Sequence, residues 1–76
     1  MVMKIDATCI DRNGVTAVVS VDLDYVQDTD GLRHWIEEEL YGWSLVNKEN
    51  FDTLDFVVSN WDDIIKEMED IYGPCD

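Results

Sequence analysis

Met3-Lys4-Ile5-Asp6-Ala7-Thr8-Cys9-Ile10-Asp11-Arg12-Asn13-Gly14-Val15-Thr16-Ala17-Val18-Val19-Ser20-Val21-Asp22-Leu23 is the stretch that decides the fold. Apolar side chains recur at every second position, at Met3, Ile5, Ala7 and Cys9 and again at Val15, Ala17, Val19, Val21 and Leu23. A period of two belongs to a strand with one buried face. Asp11-Arg12-Asn13-Gly14 supplies a turn between the runs, so residues 2–24 read as a β-hairpin. The alternation also selects the register. A two-residue Asn-Gly loop sets Ile5, Ala7 and Cys9 opposite Asp22, Ser20 and Val18 and mixes the faces. A three-residue loop, Arg12-Asn13-Gly14, pairs Ile5 with Val21, Ala7 with Val19 and Cys9 with Ala17. It also gives Gly14 the left-handed position of a bulged turn. The second register is expected, because a one-residue slip turns every side chain to the other face.

Outward from the hairpin, Asp28-Thr29-Asp30 offers helix N-caps, and Leu32, Trp35, Ile36 and Leu40 then share one helical face. Gly42 reads as the stop. Residues 43–47 and 53–58 read as short strands joined by 48–52, with Leu54, Phe56 and Val58 on one face. Ser59-Asn60-Trp61-Asp62 resembles a capping box with Asp in place of Glu. Trp61, Ile64, Ile65, Met68, Ile71 and Tyr72 follow helical spacing, and Gly73-Pro74 ends that helix. The expected architecture is a small single α+β domain over residues 1–76. Its order is ββαββα, an antiparallel sheet with two helices packed on one face.

Charge is distributed unevenly. The chain has 18 Asp+Glu against 5 Lys+Arg, a formal net charge of −13 on 76 residues. In residues 1–21, Asp6 and Asp11 balance Lys4 and Arg12, so the whole imbalance falls in residues 22–76. Area scaling gives a chain of this mass roughly 4,800 Å² of folded surface, or about one net charge per 370 Å². A DNA duplex, with one charge per about 1.7 Å of axis, carries about one per 110 Å². Acids gathered on about a third of the surface therefore approach the charge density of a duplex. Apolar content of 46% with three Trp, three Tyr and two Phe separates the chain from acidic disordered tails. Self-repulsion favours a monomer over an oligomer.

Two cysteines, Cys9 and Cys75, show no framework spacing, and free thiols in a reducing cytosol are expected. No apolar run approaches membrane length, and residues 1–10 hold Lys4 and Asp6 without an apolar leader core. A cytoplasmic protein without membrane contact is expected.

The last helix carries the cleanest candidate surface. With its apolar stripe inward, Asp62, Asp63, Glu67, Glu69 and Asp70 point outward, and Asp63, Glu67 and Asp70 form an i, i+4, i+7 row. Their spacing is comparable to that of successive phosphates on a strand. On the first helix Glu37 and Glu38 point outward with His34 and Tyr41. Glu39 falls within the apolar stripe, as a boundary carboxylate or as a group in a partner-binding notch. Asp22, Asp24, Asp28 and Asp30 crowd the strand-to-helix loop. Tyr41, Trp43 and Trp61 are the aromatic candidates for a partner surface, Tyr41 first because it lies opposite the stripe.

Asp28, Asp30, Gly31 and Glu37 match positions 3, 5, 6 and 12 of a calcium-binding EF-hand loop. However, its first position would be Val26, its eighth Arg33, and a strand precedes it. No metal or cofactor is expected. The single histidine, His34, has no nucleophile partner in a recognisable motif, and there is no phosphate-cradling glycine loop, zinc spacing or dinucleotide fingerprint. The expectation is a binding protein and not an enzyme. Direct nucleic-acid binding, which needs basic residues on phosphates, is not expected.

In size, acidity and lack of catalytic groups the chain resembles the phage and plasmid DNA mimics, such as anti-restriction and anti-CRISPR proteins. That class resemblance implies an inhibitor whose carboxylates occupy the basic nucleic-acid-binding surface of a nuclease or other DNA- or RNA-handling protein. The alternatives are an antitoxin or immunity protein for a cognate nuclease, and an ordinary interaction or assembly module whose acidity serves solubility.

Overall fold

The computed structural model describes residues 3–73. Strands β1 (Lys4–Asp11) and β2 (Thr16–Asp22), helix α1 (Thr29–Asn47), strand β3 (Phe56–Val58) and helix α2 (Trp61–Tyr72) follow in that order. The class is α+β. The sheet is antiparallel throughout, with order β2-β1-β3.

The hairpin adopts the register that keeps its faces unmixed. Ile5 lies opposite Val21, Ala7 opposite Val19 and Cys9 opposite Ala17. Gly14 takes φ +84°, its N–H donates to the Asp11 carbonyl at 3.1 Å, and the Asp11 N–H donates to the Val15 carbonyl at 3.0 Å. A side chain at position 14 would be strained there, which is why the turn needs glycine. Asp11, only 4% exposed, holds the turn from within. Its Oδ1 accepts from the N–H groups of Asn13 and Val15, both at 2.9 Å.

Ala7, Cys9, Ala17, Val19 and Val21 point from one sheet face into the core, where Leu23, Leu32, Ile36, Leu40, Ile64 and Met68 are fully buried. Burying each large side chain contributes about 1.5–3 kcal/mol. Both helices cover this face, and among the described residues the other face of the sheet is left open.

Helix α1 starts where the sequence indicates, since Asp28 Oδ1 accepts from the Gly31 N–H at 2.6 Å. It does not stop at Gly42. The stretch 43–47, expected as a strand, is the last part of a 19-residue helix that ends at Lys48 in the left-handed conformation (φ 56°). Trp43 continues the Leu32-Ile36-Leu40 stripe and meets Phe51 edge-on at 6.1 Å. That packing outweighs the roughly 1 kcal/mol that an interior glycine costs a helix.

The second hairpin is consequently absent. β3 spans only Phe56–Val58 and pairs with β1, so the order is ββαβα. Phe56 and Val58 share the inward face, but Leu54 is 91% exposed, because the Asp52 carboxylate accepts from the Leu54 N–H at 3.0 Å and turns the chain there. No capping box forms at α2. Its N-cap is Asn60, whose side chain makes no cap hydrogen bond. The Asn60 amide reaches β1 instead, accepting from the Thr8 N–H at 3.0 Å and donating to the Asp6 carbonyl at 2.7 Å. It extends the β3 edge by one residue's worth of pairing. Gly73 ends α2 as expected, and the expected role of Pro74 lies outside the described residues.

Candidate functional site

The candidate surface follows from how α2 packs. Ile64 and Met68 are buried, so the opposite side of the helix faces solvent, and Asp62, Asp63, Glu67, Glu69 and Asp70 are all exposed. Side chains at i, i+4 and i+7 stand about 5–6 Å apart. Among the described residues none of these carboxylates enters an ion pair, although Lys66 lies on the same helix. The arrangement can accept hydrogen bonds from several lysine or arginine side chains at once.

The carboxylates of α1 are partly neutralised. Arg33 Nε lies 3.1 Å from Glu37 Oε1, and the Arg33 guanidinium also sits over the Phe56 ring, 5.1 Å from its centroid. His34 Nε2 lies 3.9 Å from Glu38 Oε1, a contact that adds a charge pair only when the imidazole is protonated. Glu39, one turn from both Trp35 and Trp43, lies at the border of the apolar stripe. It is exposed on the flank of α1 that faces β2, where with Glu38 it borders a groove beside that strand. Tyr41 is 64% exposed on the outer side of α1, and Leu45, one turn on, is exposed to the same extent.

The loop acids divide by task. Asp22 is buried and accepts from the Asp24 N–H at 3.1 Å, and Asp28 caps α1. Those carboxylates hold the backbone. Asp24 and Asp30 are exposed. The structure therefore groups the α2 acids on one surface and assigns Asp22 and Asp28 to the fold.

Asp11 was legible only as a turn residue, yet it is the most connected carboxylate. Beyond Asn13 and Val15, its Oδ2 accepts from the Asp52 N–H at 3.1 Å, and Arg12 Nε pairs with Asp52 at 3.1 Å. Burial pushes the Asp11 carboxyl up. The N–H donors of Asp52, Val15 and Asn13, with the Arg12 charge, outweigh it and hold the group below the ordinary value of 3.8. Burial also raises the Cys9 thiol to about 11, so it is inert in the core. The expected state of Cys75 lies outside the described residues.

Charge separates by layer. The open face of the sheet carries Lys4, Asp6, Thr8 and Ile10 from β1, Thr16, Val18, Ser20 and the largely buried Asp22 from β2, and Val57 from β3. Its charged groups are Lys4, Asp6 and, directly opposite Lys4, Asp22, so the face is close to balanced with a net charge of −1. The acids of α1 and α2 lie on the opposite side of a molecule with 5181 Å² of surface. Among the described residues no group of three or more His, Cys, Asp or Glu is placed to hold a metal ion. No helix among them is long and apolar enough to cross a membrane.

Compared with known proteins, the chain matches no family model, no curated protein and no solved structure.

Proposed function

We propose that this protein is an inhibitor that acts as a nucleic-acid mimic. Its helical layer, α2 foremost, occupies the basic groove of a nuclease or other DNA- or RNA-handling protein, such as a host defence enzyme. The observation that carries this reading is the exposed row on α2, whose carboxylates enter no ion pair among the described residues and have only Lys66 as a cation on their helix. Its weight comes from the contrast with the open sheet face, where Lys4 stands against only Asp6 and Asp22. Acidity that served only solubility would need no such separation. Like charges at this spacing destabilise a helix, and a partner lined with lysine and arginine relieves them. Opposite charge also steers the encounter, which makes association fast and salt-sensitive. The protein acts as a monomer in this reading, with Glu37, Glu38 and Tyr41 of α1 at the margin of the contact.

The test is capture from a bacterial lysate on the immobilised protein, beside the variant D63K/E67K/D70K. The expected result is a nucleic-acid-handling protein retained by the wild type, displaced by duplex DNA and by moderate salt, and lost from the variant. A partner held equally by the variant, or indifferent to DNA, overturns the reading.

A further inference from the structure

We propose that the open edge of β2 and the flank of α1 beside it form a docking groove for an extended peptide segment carrying a lysine or arginine, bound as a fourth strand of the sheet. The phase of the ladder identifies the free groups. The Leu23 N–H donates to the Met3 carbonyl at 2.8 Å and the Asp11 N–H to the Val15 carbonyl at 3.0 Å. Alternation between these points makes Ala17, Val19 and Val21 the residues bonded to β1. The N–H and C=O groups of Thr16 and Val18, and the N–H of Ser20, therefore face the open edge. Trp35 Nε1 donates to the Ser20 carbonyl at 3.0 Å and marks where the open stretch ends.

The two edges of the sheet are treated differently. On the far side the edge strand is β3, only three residues long, and the Asn60 amide pairs with β1 beyond it. Between Thr16 and Ser20, before the Trp35 contact, β2 carries no charged side chain to blunt its edge. It has no lysine, no proline and no bulge, and its register with β1 is unbroken. Beside it lies a groove of about 520 Å³ between Val18 and Ser20 on the strand and Glu38, Glu39, Trp43 and Val46 on the helix. Gly42 sits in that wall with nothing within 4 Å of the place a Cβ would take, so the groove keeps its width there.

The wall specifies the occupant. An added strand lies about 4.7–4.9 Å from β2 and turns every second side chain toward α1. One such side chain meets Trp43 and Val46, which are apolar, and its neighbour two residues on meets Glu38 and Glu39. The matching segment alternates, with an apolar residue and a basic residue on the same side. A second copy of this chain fits poorly, because each copy brings a net charge of −13 to the contact. The proposal does not rest on the α2 reading, since it uses a different surface and backbone pairing.

The test is titration of the isotope-labelled protein with the blocked peptide Thr-Val-Thr-Lys-Thr-Val-Thr, followed by NMR. The expected result is a shift of the Thr16, Val18 and Ser20 amide resonances, with exchange of the Val18 amide slowed about tenfold or more at saturation. Glutamate in place of the peptide lysine should weaken binding about tenfold or more. Val18→Pro removes an edge donor that β1 does not use and should abolish the effect. Peptides N-methylated at the edge-facing amides should not bind. Equal binding by those peptides would reduce the effect to charge attraction and overturn the proposal. So would shifts confined to α2, or no shift at Thr16–Ser20 with millimolar peptide. Protection of Val18 that grows with protein concentration alone would name a second copy as the occupant instead.

Discussion

Neutralising Glu67 should make this protein more stable and a poorer binder. Glu67 faces Asp63 one turn before it and Asp70 one turn after it, and among the described residues it enters no ion pair. Each like-charge pair at this spacing costs a helix about 0.2–0.5 kcal/mol. Glu67→Gln removes both repulsions while keeping side-chain shape and helix propensity, so unfolding free energy should rise by about 0.4–1 kcal/mol at low ionic strength. In a domain of this size the melting temperature should rise by about 2–8 °C. At 1 M salt the screening length falls to about 3 Å, shorter than the side-chain spacing, and the gain should vanish. Urea unfolding followed by tryptophan fluorescence, at low salt and at 1 M salt, measures both limits. A variant less stable than the wild type at low salt, or a gain that survives 1 M salt, would refute the premise that the row repels itself. The same variant should elute from the captured partner at lower salt than the wild type.

Asn60→Ala should cost about 1–3 kcal/mol in urea unfolding, because the Thr8 N–H and Asp6 carbonyl both lose their partner. Asn60→Asp, which keeps only the acceptor, should fall between it and the wild type. Asp11 should leave a pH signature. Its folded value lies below the ordinary 3.8, so its contribution is full above 3.8 and is lost as pH falls through the lower folded value. The stability gap between wild type and Asp11→Asn should therefore narrow below pH 3.8, and a gap constant down to strong acid would contradict the hydrogen-bond account. Gly42→Ala should stabilise α1 by about 0.5–1 kcal/mol in the same assay, since an added Cβ meets nothing. It should also weaken binding of the strand peptide by narrowing the groove.

The hairpin was legible down to its register because period-two alternation and a turn that needs glycine agree on one answer. The apolar stripe of α2 was equally plain, and with it the outward direction of Asp63, Glu67 and Asp70. The end of α1 was misread for a physical reason. Trp-Ser-Leu-Val-Asn after a glycine suits a short strand as well as a helix. What settles it is Phe51, which meets Trp43 only in the folded chain. The β2 groove was hidden by the same error, since its wall includes Trp43 and Val46. Asn60 left no local trace, because its partners lie 52 and 54 residues away. Among the acids, Asp28 could be read as a cap from its place before a helix. The burial of Asp11 and Asp22 became visible only with the neighbours around them.

The separation of charge between the two layers has an effect that net charge alone would not produce. With most of the carboxylates on one side and a nearly balanced sheet on the other, the molecule has an electric dipole moment perpendicular to the sheet. A cationic surface therefore exerts a torque on it as well as a pull, within a reach of about 8 Å at physiological ionic strength. Orientation then precedes contact, and a larger share of collisions begins with the helices in front. On an anion-exchange surface the same torque should seat the protein helices-down and leave Val18 and Val57 facing the solvent.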